Sequence, residues 1–160
     1  LMASGASGAT PDTEEFTRGL TEVCHSLAQQ LITDAEGASH DIAITTINAA
    51  TVADAENASR AVARSNLFKT AIFGNDPNWG RVLSAVGTTD AAFEPDQINV
   101  TINGVQVCRN GGIGDPRDGV DLTGRAVSVE IDLAAGTESA TIWTNDLTTD
   151  YVHENSAYSS

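Results

Sequence analysis

Positive charge is scarce in this 160-residue sequence, which has 8 lysine and arginine residues against 22 acidic ones, with Lys69 as the single lysine. The formal net charge of −14 makes nucleic acids and anionic membranes poor partners. A cationic substrate is compatible with this charge. The acidic surface of a salt-adapted or otherwise acidic proteome explains it equally and is the simpler interpretation.

The sequence also lacks the local patterns of a membrane span, a signal peptide and a metal site. No apolar run approaches the roughly 18–20 residues that a membrane helix needs. Cys24 and Cys108 lie far apart without metal or redox spacing, so we expect free thiols in a cytoplasmic protein. The three histidines have no metal-ligand spacing either, and we expect each at the surface: His25, His40 and His153.

What is present is 41% hydrophobic content spread along the chain, which predicts one globular domain with a substantial core. The first helix is predicted to start with Thr10 as N-cap and Pro11 at its first helical position, and to end near Gly37. Apolar residues recur along it at spacings of three and four and give it one apolar face: Phe16, Leu20, Val23, Leu27 and Leu31.

Further along, an alanine-rich second helix is predicted at roughly 53–66, and residues 67–75 fit a strand, a helix end or a loop. A short helix follows in "FGNDPNWGRVLSAVG" (73–87), with Asp76 as cap, Pro77 at the first position and Trp79 in the core. Gly80 inside this helix costs up to about 1 kcal/mol relative to alanine. It therefore suggests that another backbone or a ligand comes close.

The remaining segments predict β-structure. Residues 41–48, "DIAITTIN", favour a strand, and a hairpin is expected about Asn103-Gly104. A loop is expected at 110–121, followed by two strands around Gly136 and a short helical or extended tail. Helices first and a mostly antiparallel sheet afterwards indicate an α+β fold built as a layered sandwich.

Two carboxylates break a local preference at the predicted end of the first helix. "ITDAEG" places Asp34 and Glu36 in the last turn, where negative charge opposes the helix dipole by about 0.3–1 kcal/mol each. Such an exception is sometimes functional, although ordinary surface variation explains it without any function.

Three stretches together resemble the bifunctional ornithine acetyltransferase/glutamate N-acetyltransferase family of arginine biosynthesis. They are "DAEG" (34–37), "LFKTAIFGNDPNWGRVLSAVG" (67–87) and "YVHENSAYSS" (151–160). The similarity runs along essentially all of residues 1–160, which match the C-terminal portion of the family's β chain. It implies the family's own layered α/β sandwich, similar in logic to N-terminal-nucleophile hydrolases and here a partial domain.

The resemblance implies a precursor that cleaves itself into α and β chains and exposes a threonine at the start of β. That threonine takes the acetyl group from N-acetylornithine and passes it to glutamate in a ping-pong reaction, and some members also use acetyl-CoA as donor. Its own α-amino group, with an ordinary pKa near about 7.7–8.0, is a natural base. No cofactor or metal is implied. The implied assembly is a heterotetramer of two α and two β chains.

Residue by residue, the resemblance assigns substrate binding to Glu36, Asn155 and Ser160. The nucleophilic threonine has no match here, so we expect this chain to start inside the β chain and to be inactive alone. His40 stands where the family usually has lysine, and the loop at 110–121 departs from the family pattern. The alternative is a stand-alone, catalytically inactive fragment that serves as a binding or assembly module, which the unusual start of the sequence favours.

Overall fold

The computed structural model describes residues 4–157. The chain divides into two compact units, the first ending at Asp34 and the second beginning at Ala35. Ser160 lies outside the described residues, so its predicted role is not addressed by the structure.

The first unit contains one long helix, α1 (Thr13–Thr33). It begins later than predicted, because the carboxylate of Asp12 rather than the hydroxyl of Thr10 caps it, accepting from the Glu15 backbone N–H at 2.9 Å. The predicted helix is confirmed. Among the described residues none of α1 is buried, and Leu31 on the apolar face is 76% exposed.

The second unit is built on a six-stranded sheet with the order β4-β3-β2-β5-β1-β6. Its strands are β1 (Asp41–Ala49), β2 (Asn99–Ile102), β3 (Val105–Arg109), β4 (Gly112–Ile113), β5 (Ala126–Asp132) and β6 (Glu138–Asn145). The β1–β5 pair is parallel, whereas every other pair in this sheet is antiparallel. The predicted strands, the mostly antiparallel sheet and the α+β class are thereby confirmed.

Three helices pack on one face of this sheet: α2 (Val52–Arg64), α3 (Asn66–Phe73) and α4 (Trp79–Val86). The alternation of β1 buries Ile42, Ile44 and Thr46 beneath them, and the Thr46 hydroxyl lies 2.7 Å from that of Ser59 on α2. The opposite face of β5 is exposed. In the part of the chain that is described, the second unit therefore has one helical layer and one sheet layer.

The ambiguous segment at 67–75 is helical, as α3 with Ser65 as its N-cap. In α4, Asn78 rather than Asp76 is the N-cap, and Trp79 is the first helical residue and packs partly buried against the core. The expectation of a close backbone at Gly80 is wrong within residues 4–157. A Cβ there would meet only the Asn78 side chain, at 3.4 Å.

The hairpin about Asn103-Gly104 is confirmed, with φ of 45° and 82° at its two turn residues, a left-handed pair that suits Asn-Gly. The 110–121 segment is mainly a loop, interrupted by β4 and a 3₁₀ turn at Arg117–Gly119. The tail forms α5 (Thr149–Ala157), one of the two forms expected for it.

Candidate substrate-binding site

Glu36 lies in an exposed turn beyond α1, not in the last helical turn as predicted. The helix ends at Thr33, and Asp34 is its C-cap, so Gly37 is not the cap either. The Glu36 carboxylate therefore projects from a connection between elements. Among the described residues it has no hydrogen-bond or ion-pair partner.

Gly37 brings this turn against the start of α5. Its φ is +74°, and a Cβ added there would lie 2.4 Å from the backbone nitrogen of Tyr151 and 2.6 Å from the carbonyl carbon of Asp150. The Thr148 hydroxyl donates to the Gly37 carbonyl and accepts from the Tyr151 N–H at 2.8 Å. Only glycine permits this approach, because no side chain fits between the two backbones.

Asn155 lies on the same helix, one turn beyond Tyr151, and is exposed. Its amide Nδ2 donates to the Tyr151 carbonyl at 2.8 Å. The structure therefore places the turn of Glu36 beside the helix that carries Asn155. Glu36 and Asn155 are 119 positions apart in the sequence, yet the turn and the helix that carry them are in backbone contact in the fold.

A buried carboxylate fastens the connection between Glu36 and β1. Asp146, which follows β6, is 1% exposed and accepts from the backbone N–H groups of Ser39 at 2.9 Å and His40 at 3.0 Å. The Ser39 hydroxyl donates to its second oxygen. One carboxylate thus ties residues 39 and 40 to the end of the edge strand.

His40 completes this cluster and is buried at 7% exposure, so the prediction of a surface residue is wrong for it, whereas His25 and His153 are exposed as expected. Its Nδ1 lies 2.7 Å from Asp146 and its Nε2 lies 2.9 Å from the Leu122 carbonyl oxygen. Each ring nitrogen of His40 thus has an oxygen within hydrogen-bond distance, which satisfies the buried ring on both sides.

The surroundings of Asp146 decide its ionisation. Burial opposes the charged form, but the hydrogen bonds from Ser39 and His40 outweigh it and lower the pKa of this carboxyl below its ordinary value. Burial also opposes the charged form of Lys69 and so lowers the pKa of this amine, while the negative charge of Asp146 acts to raise it. Asp146 is therefore ionised at neutral pH, and its negative charge acts on Lys69.

A second ion pair braces the same connection at the surface. The Arg125 guanidinium donates to both carboxylate oxygens of Asp41, at 2.9 and 3.1 Å, and to the Ala38 carbonyl at 3.4 Å. Asn145 donates to the His40 carbonyl at 3.1 Å and to Asp41 at 3.0 Å. Residues 38–41 are thus held along their length, and Glu36 extends from this fixed segment.

Sequence reasoning missed Asp146 as part of the site. Its partners Ser39 and His40 lie 107 and 106 positions earlier, so no spacing pattern links them. The available signal was an aspartate immediately after the strand "ATIWTN".

Across residues 4–157, no group of three or more histidine, cysteine, aspartate or glutamate side chains is arranged to hold a metal ion. Both cysteines are free, with Cys24 exposed and Cys108 buried. None of the helices in the described residues combines the length and apolar character that a membrane crossing requires.

Comparison with known proteins gives a consistent result. The model of the ArgJ family matches residues 1–160. The "Arginine biosynthesis bifunctional protein ArgJ" of Thermobifida fusca (strain YX) is 65% identical over 159 residues, covering 99% of this chain and 42% of that protein. The protein of the same name from Mycobacterium leprae is 48% identical over 162 residues, with 39% of it covered. The chain thus spans about two fifths of the length of these relatives.

The crystal structure of the arginine biosynthesis bifunctional protein ArgJ from Bacillus halodurans matches with a TM-score of 0.88 at 30% sequence identity. The match covers 98% of this chain and 78% of that one. The fold and the sequence therefore agree, and the chain belongs to the ArgJ family.

Proposed function

We propose that residues 1–160 are the C-terminal portion of the β chain of an acetyltransferase in arginine biosynthesis, which transfers the acetyl group of N-acetylornithine to glutamate. Family membership over the whole chain supports this proposal, as does the name of the relatives. The α chain and the N-terminal part of the β chain are the partners, in an assembly of two α and two β chains.

In this proposal the nucleophile is a β-chain N-terminal threonine outside residues 1–160. Its hydroxyl oxygen attacks the acetyl carbonyl, its α-amino group takes the hydroxyl proton, and that proton goes to the departing amine of ornithine. The amine of glutamate then attacks the acetyl-threonine ester, the C–O bond breaks, and the proton that the amine loses passes through the α-amino group to the threonine oxygen, which regenerates the hydroxyl. The present chain contributes binding and orientation to both half-reactions.

Glu36 is assigned to an amino group of the substrate. An exposed carboxylate without a partner among the described residues is suited to a charge-assisted hydrogen bond with an ammonium group. Asn155 supplies an amide that both donates and accepts, and the Ser160 hydroxyl supplies a third polar group. A substrate that carries an amine and a carboxylate needs groups of both kinds.

The observation that carries this assignment is the contact of Gly37 with the first turn of α5. Through this contact the turn of Glu36, near the start of the second unit in the sequence, lies beside the helix of Asn155, near its end. The cluster at Asp146 fixes the backbone of Ser39 and His40, so the segment from which Glu36 extends is held before substrate binds.

The test is Glu36→Gln in the full-length protein that the gene encodes, with Asp34→Asn as matched control. Each substitution removes one exposed carboxylate from the same three-residue stretch, but only Glu36→Gln removes the group proposed to bind the substrate. Losing a charge-assisted hydrogen bond of about 1.5–3 kcal/mol lowers kcat/KM for N-acetylornithine by roughly 10- to 100-fold. Equal kinetics for the two variants would contradict the role of Glu36.

A further inference from the structure

A groove of about 650 Å³ between α2 and α4 contains an unusual concentration of positive charge. Arg60 and Arg64 from α2 and Arg81 from α4 line it, while Asp90 is the one acidic residue among its described lining. The whole chain has only 8 basic residues. A protein of net charge −14 has thus placed three of them around one concavity.

Two of these arginines have no paired side chain. Among residues 4–157, neither Arg60 nor Arg64 makes an ion pair or side-chain hydrogen bond, although the whole sequence has 22 acidic residues. They lie four residues apart on one helix face, where like charges repel. Arg64 stabilises the last turn of α2 through the helix dipole, but Arg60 lies a turn earlier and has no such role.

Arg81 is held in place by the neighbouring helix. One of its guanidinium nitrogens donates to the Leu67 carbonyl at 2.5 Å and to the Thr70 hydroxyl at 3.3 Å. The arginine is half-buried, so its position is fixed by the packing of α3 on α4. Ser65, the N-cap of α3, and Leu67 from its first turn line the same groove and add the positive end of that helix.

Shape and chemistry together define the ligand class. The volume falls within the range of about 300–1,000 Å³ that is usual for small-molecule sites. Planar guanidinium groups match phosphate oxygens in pairs, and several of them suit a multiply charged ligand. We propose that this groove binds a small phosphate-bearing anion, at a place whose lining includes none of the residues assigned to the acetyl-transfer site.

The volume favours this ligand over an acidic protein segment, because a stable protein interface covers about 800 Å² on each partner. Both ligands would exploit the same arginines, so the experiment must separate them. Inorganic pyrophosphate is a suitable probe, since it carries only the phosphate chemistry.

Binding of pyrophosphate to the full-length gene product is measured by titration calorimetry at constant ionic strength. Arg60→Gln and Arg64→Gln are compared with the control Arg109→Gln. The control also removes one positive charge, but from an exposed arginine at the end of β3 that is paired with Asp115 and does not line the groove. We expect saturable binding that weakens about tenfold or more in each α2 variant and stays unchanged in Arg109→Gln. Thermal unfolding of each variant without pyrophosphate verifies that folding is intact.

Two results would overturn the proposal. Saturable binding that declines equally in all three variants would mean attraction to overall charge and not a site. Absence of saturable binding in the unmodified protein would reject a phosphate ligand and leave an acidic protein segment as the occupant of the groove. Neither result depends on acetyl transfer, so the groove and the proposed function are tested separately.

Discussion

Replacing Gly37 by alanine perturbs the contact on which the candidate site depends. At φ +74° an alanine carries a conformational cost of about 1–2 kcal/mol before any contact is considered. Its Cβ would also lie 2.4 Å from the Tyr151 nitrogen, and that atom is backbone, so the start of α5 must shift. We expect Gly37→Ala to cost about 2–4 kcal/mol in total.

Gly104→Ala separates the two contributions. Gly104 also has a positive φ, of +82°, but nothing lies within 4 Å of its added Cβ. This control therefore reports the conformational term alone, and the difference between the two variants measures the steric contact with α5. Urea denaturation followed by circular dichroism gives both free energies of unfolding.

Hydrogen exchange localises the effect. In Gly37→Ala the backbone amides of 149–157 should exchange faster, because the start of α5 no longer packs against residue 37. In the full-length protein, KM for N-acetylornithine should rise. In Gly104→Ala the same amides should keep their exchange rates. Equal destabilisation in both variants, with α5 unaffected, would refute the argument that Gly37 positions this helix.

Two further predictions concern buried polar pairs. Asp146→Asn removes a buried carboxylate that accepts hydrogen bonds from Ser39 and from the His40 backbone, and it should lower stability by about 2–4 kcal/mol at neutral pH. Because folding lowers the pKa of Asp146, its contribution is present above the ordinary value of 3.8 and lost as pH falls through the lower folded value, so the two proteins should converge in acid denaturation. Persistence of the full difference at pH 2 would contradict this. Thr46→Val should cost about 0.5–1.5 kcal/mol in thermal unfolding by removing the nearer partner of the Ser59 hydroxyl, which keeps only the Ala140 carbonyl at 3.5 Å, and adding Ser59→Ala should recover part of that loss. Strict additivity of the two changes would rule out the pair.

The elements with a clear local pattern could be predicted from the sequence. The apolar spacing along α1 predicted a helix, the isoleucine- and threonine-rich run at 41–48 predicted β1, and Asn103-Gly104 predicted a hairpin because that turn needs two left-handed residues. Helix starts were less accurate. Proline suggested caps at Thr10 and Asp76, but Asp12 and Asn78 have the side chains that reach the free N–H groups.

The candidate site depended on contacts that local sequence does not encode. Glu36 was selected by resemblance, and the rule about helix dipoles that first drew attention to it does not apply, since it lies outside α1. Burial of His40 follows from Asp146, which is distant in the sequence. The regular spacing along α1 predicted an apolar face, but spacing does not predict which surface covers such a face.

The proposed acetyl transfer is tested most simply by denaturing mass spectrometry of the full-length gene product, with one sample taken before and one after incubation of the native protein with N-acetylornithine. We expect a companion chain that begins with threonine and gains one acetyl group, which is then lost when glutamate is added. A product that consists of one uncleaved chain, with no acetyl adduct on any species, would contradict the proposed acetyltransferase and favour a binding or assembly module instead.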